Sequence, residues 1–136
     1  MDISIACVAD DWIELQRFDD VEKAPEGVFE RGWVLYDLAH ENPELAWEAI
    51  KNVVGRFDES DLFTEEQTEA RRLLAATAAG PLEDLLAYHG PSLIDRVEDE
   101  AEHDRRMFWT LGCVWQNSMT DGVWARVQRA AGGISR

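Results

Sequence analysis

Three dipeptides, Asn42-Pro43, Gly80-Pro81 and Gly90-Pro91, interrupt a chain whose apolar residues otherwise recur at helical spacing. Proline fixes φ and lacks an N–H, so it suits the first turn of a helix rather than its interior, and it drives the residue before it out of helical conformation. Acids follow closely at Glu44, Glu83 and Asp84, where they match the positive end of a helix dipole. Between these breaks, Ile5, Val8, Trp12 and Leu15 share one helical face. Val28, Gly32, Leu35 and Ala39 form a second stripe with Phe29, Trp33 and Tyr36 beside it, and Leu45, Ala49 and Val53 form a third. Later stripes are Leu93, Ile94, Val97 and Ala101; Met107, Phe108, Leu111 and Trp115; and Val123, Trp124 and Val127. No stretch alternates apolar and polar residues for long, so the pattern predicts an all-α fold, a compact array of about seven to eight helices. Gly55 predicts a helix stop, Thr64 with Gln67 a capping box, Asp104 and Thr120 helix starts, and the closing AAGGISR a frayed end. The starts at Pro43, Pro81 and Thr120 fall about forty residues apart, a period that HEAT-type helical hairpins also show.

The 136 residues fit a single domain spanning 1–136, and a 46% apolar content with six tryptophans supplies ample core material despite a net charge of −15. That charge is uneven: residues 1–68 carry 18 acids against 5 bases. A field of this sign repels phosphate backbones and anionic lipid, so it argues against nucleic-acid and membrane binding and favours a basic protein partner. The apolar runs are too short to span a bilayer, and the start MDISIACVADDW lacks the basic leader of a secretory signal. Cys7 and Cys113 are too few and too distant for a disulfide framework or a zinc motif, which predicts reduced thiols in a cytoplasm.

The phrases NPELAWEAI, AAGPLEDLLAYHGPSLIDRVEDEA, LGCVWQNSM and VWARVQ, in this order, resemble the bacterial family known as domain of unknown function 6869. The resemblance covers roughly residues 27–131 and leaves an acidic segment, residues 1–25, outside it. It implies a small, mostly helical bacterial domain and brings no catalytic or binding residue with it.

Glu100 and His103 make one Glu-x-x-His, the spacing that bundle di-iron sites use twice together with further carboxylates. One copy among 28 acids is expected by chance, so no metal and no cofactor is expected. His89, in the last turn of a short predicted helix, reads as a C-terminal capping residue. No nucleophile elbow and no phosphate-binding glycine pattern occurs, and no catalytic residue is assigned. Trp33, Trp47, Trp115 and Trp124 lie on stripes with aliphatic residues and are expected in the core. Trp12 is different: Asp10, Asp11 and Glu14 flank it, and Asp19 and Asp20 follow, a setting that suits an aromatic anchor for a basic partner. The functional expectation is therefore a non-catalytic, acidic protein-interaction domain that binds through Asp10, Asp11, Trp12, Glu14, Asp19 and Asp20. An immunity-like or inhibitor protein acting on a basic enzyme is its concrete form. Two alternatives stay open: a small enzyme or metal-binding bundle using Glu100, His103 and His89, and a self-associating structural subunit.

Overall fold

The computed structural model describes residues 3–132, and only the first part of the AAGGISR end lies within that range. Helix α1 spans Ile5–Gln16, with the Ser4 hydroxyl accepting the Cys7 N–H at its start. A short 3-10 turn, Val21–Lys23, leads to α2, Glu26–Glu41. Helix α3, Pro43–Val54, starts as its sequence predicts, with Pro43 in the first turn, the Asn42 side chain accepting the Leu45 N–H, and Gly55 at the end. Helix α4, Glu69–Thr77, begins later than the Thr64–Gln67 box predicts. Thr68 caps it instead, because its hydroxyl accepts the Arg71 N–H and also donates to the Asp61 carbonyl at 2.6 Å; Thr64 stays in the connecting segment, accepting the Glu66 N–H.

The largest departure from the sequence reading follows α4. Gly80-Pro81 does not break the chain: helical backbone runs from α4 through a π-turn at Ala78–Leu82 into α5, Glu83–His103, whereas Gly90-Pro91 does interrupt it, since α5 is two helices joined across a kink there. The wider π-turn takes in Pro81, with the Glu83 N–H reaching back to the Ala78 carbonyl. At Pro91 the helix kinks, and His89 leaves helical dihedrals at φ −132°, ψ 16°. Helix α6, Arg105–Leu111, is capped by Asp104, and α7, Asp121–Ala130, by Thr120. With the kinked α5 counted once, six helical runs result, slightly fewer than the seven to eight expected, and no strand is present among the described residues. Of the three starts about forty residues apart, Pro43 and Thr120 open helices, whereas Pro81 lies inside one.

One apolar cluster draws on every helix, from Val8 and Trp12 in α1 through Leu35, Ile50, Leu73, Leu93 and Met107 to Val127 in α7. Helices α1 and α2 meet where Gly32 faces Leu15, so closely that a Cβ on Gly32 would lie 2.5 Å from the Leu15 Cβ. This fixes which side of α2 is buried. The next residue round the helix, Trp33, falls on the flank and is 37% exposed, contrary to its expected core position. Trp115 is 53% exposed, because α6 stops at Leu111 and the stripe that was to bury it stops there too. Trp47 is buried as expected. No described helix is long and apolar enough to cross a membrane.

Candidate protein-interaction surface

Helix α1 presents the expected acids along its outer side. Asp10 and Glu14, one turn apart, line a cleft of about 400 Å³ with Ile13, Arg17, Arg56 and Phe57. Arg56 donates to Asp10 at 2.6 Å and is held in place by the Ala6 carbonyl and the Asn52 side chain. Asp11 points the other way and pairs loosely with Arg31 of α2 at 3.8 Å. Asp20 accepts the Glu22 N–H and so closes the 3-10 turn, and Asp19 is exposed beside it. Glu14 and Asp19 have no ion pair among the described residues, which leaves their charge to solvent.

Trp12 does not belong with these acids. It is 1% exposed; its ring meets Tyr36 edge-on at 5.5 Å, and its Nε1–H donates to the Thr77 hydroxyl at 2.9 Å. Helical geometry is the reason. Trp12 lies on the Val8–Leu15 face that packs inward, while Asp10 and Glu14 lie on the opposite side. An anchor for a partner has to be reachable, so Trp12 is a core residue.

A second surface, which the sequence reading did not single out, forms where α2 passes the π-turn and the start of α5. Phe29, Trp33 and Tyr36 stack in a row along α2, with ring centroids 5.1 and 4.3 Å apart. One turn further on, the His40 ring lies 4.3 Å from Tyr88, and its Nε2–H donates to Asp84 at 3.2 Å. The His89 Nε2–H donates to the His40 carbonyl at 2.8 Å and so satisfies a carbonyl that the end of α2 leaves open. Both tyrosines of the chain and two of its three histidines meet here. Glu83, 6% exposed, accepts the Trp115 backbone N–H at 3.3 Å with one carboxylate oxygen. Burial, then Asp84, then Glu83 push the Tyr36 phenol above its ordinary pKa, so it stays protonated next to two carboxylates. Gly80 makes room for it: a Cβ there would lie 2.1 Å from the Tyr36 hydroxyl oxygen. A signal was available in the sequence, since Phe29, Trp33, Tyr36 and His40 follow helical spacing, but their partners on α5 lie more than forty residues away.

The residues of the metal alternative do not converge. His89 is bound to α2, whereas His103 lies at the far end of α5, with its Nδ1–H donating to the Asp99 carbonyl at 2.8 Å. Asp99, Glu102 and His103 bring their ligand atoms together there, but all three are exposed, and Glu100 is not one of them. Nearby, Glu98, Ala101, Glu102, Arg105, Phe108 and Arg129 line an open cleft of about 650 Å³ with charges of both signs. The Cys7 side chain is exposed, and the Cys113 Sγ lies 3.8 Å from the Trp109 carbonyl.

A family model matches the chain over residues 21–134, described as a family of unknown function (DUF6869). No curated protein and no solved structure matches it. The match begins after Asp10 to Asp20 and takes in Tyr36, His40, Asp84 and Tyr88.

Proposed function

We propose that this chain, which belongs to the DUF6869 family of unknown function, is a non-catalytic protein-interaction domain whose acidic surface engages a basic protein. The observation that carries this reading is the charge surplus of the first 68 residues, 18 acids against 5 bases, with Glu14 on α1 and Asp19 just after it left to solvent. Such a field raises the encounter rate with a positive partner and repels competitors of like charge. An immunity-like role, in which the acidic face covers the cationic substrate channel of a basic enzyme such as a nuclease, is the concrete form we favour. A chain with only two cysteines, far apart in sequence, suits a reducing, cytoplasmic setting.

Replacing Asp10, Asp11 and Glu14 together by their amides tests the reading on the partner captured from host lysate. Association should slow and lose much of its salt dependence while dissociation changes little, because rim charges act mainly on the on-rate. An acidic partner, or kinetics that ignore the triple substitution at every salt concentration, would remove α1 from the interface.

A further inference from the structure

We propose that the seam between α2 and the start of α5 seats an arginine side chain of the basic partner, its guanidinium stacking on the exposed Tyr88 ring and donating to the Asp84 carboxylate. The proposal rests on the acidic interaction reading and gives it a contact point that α1 does not supply.

Three features of the seam favour this occupant. First, it presents an aromatic face: Tyr88 is 64% exposed, and its ring is held in place by His40. A preordered ring face attracts a cation through its quadrupole. Second, Asp84 lies one turn before Tyr88 on α5, bound by one oxygen to the same His40 ring, with its other oxygen free of hydrogen bonds among the described residues. Third, the Tyr36 phenol, which burial and then Asp84 keep protonated, is a neutral neighbour of Asp84 that adds no charge of its own.

These features also choose between cations. Arginine offers a planar group that stacks on a ring and donates through two parallel N–H groups to a carboxylate, whereas the lysine ammonium is a compact point charge with stronger hydration. A surface that was only acidic would bind both alike. The seam should prefer arginine.

The test uses two end-blocked peptides of equal length, one of arginines and one of lysines, titrated calorimetrically into the full chain at low and at physiological salt. The arginine peptide should bind about fivefold to tenfold more tightly. Asp84→Asn and Tyr88→Ala should each abolish that preference, and the exposure of Tyr88 makes its variant safe for folding. Asp10→Asn with Glu14→Gln should weaken both peptides equally and leave the preference intact. Equal binding of the two peptides, or a preference that survives both seam variants, would overturn the arginine site while the acidic interaction reading stands. Failure of the wild-type chain to bind either peptide at low salt would overturn both.

Discussion

Trp12→Ala separates a core role from a binding role for this residue. The side chain is fully buried, packs edge-on against Tyr36, and donates its only polar hydrogen to Thr77, whose hydroxyl in turn donates to the Leu73 carbonyl. An indole of roughly 200 Å² removed from water at about 25 cal/mol per Å² corresponds to about 5 kcal/mol of transfer free energy, part of which the remaining Cβ retains. Loss of the hydrogen bond leaves a buried hydroxyl with one partner fewer and adds about 1 kcal/mol. The expected destabilisation is therefore about 3–5 kcal/mol, in the range of large-to-small core substitutions. With a urea m-value of about 2 kcal/mol per M, the unfolding midpoint should fall by roughly 2 M. Equilibrium urea denaturation, followed by circular dichroism with wild type in parallel, measures this directly. Trp12→Phe should lose less, since it keeps most of the ring, and combining it with Thr77→Val should be less than additive because the two residues share one bond. An unchanged midpoint for Trp12→Ala, with partner binding lost, would return the residue to the surface and refute the packing argument.

Two further substitutions probe the fold. Gly32→Ala places a methyl group 2.5 Å from the Leu15 Cβ and 3.0 Å from the Asp11 carbonyl, so overpacking of about 1–3 kcal/mol should outweigh the roughly 1 kcal/mol gain in helix propensity, and thermal melts beside wild type should show a net loss. The Arg106 side chain, then its backbone N–H, hold the Asp104 carboxyl below the usual carboxylate range, while burial opposes them. Because the folded-state pKa is depressed, this contribution is complete above about pH 4, the unfolded value, and is lost as pH falls through the folded value. Asp104→Asn, which keeps the cap and removes the charge, should lower stability by about 0.5–1 kcal/mol at pH 7, and the gap to wild type should close in acid.

What the sequence made legible was local. Asn42-Pro43, Asp104 and Thr120 announce helix starts because a cap and its N–H partner lie within three residues of each other. Pro81 misled because proline was weighed only against an α-helix; a π-turn meets the same steric demand without stopping the chain. Trp12 misled because its acidic neighbours in sequence lie on the other side of the helix, although the spacing of Val8, Trp12 and Leu15 already pointed inward. The α2–α5 seam depended on pairings such as His40 with Asp84, and no local pattern encodes a contact that only tertiary packing brings about.

The π-turn at Ala78–Leu82 also sets the phase of everything after it. A π-turn amounts to one extra residue wound into an α-helix, and each residue advances the helix by about 100°. Winding the same residues as a regular α-helix, with none removed, would swing Asp84 and Tyr88 by about that angle away from His40. Leu85, Leu86, Leu93 and Val97 would swing with them, out of the apolar cluster. The exposed seam and the buried side of α5 are thus geared together, so a change in the length of this turn cannot alter one without the other.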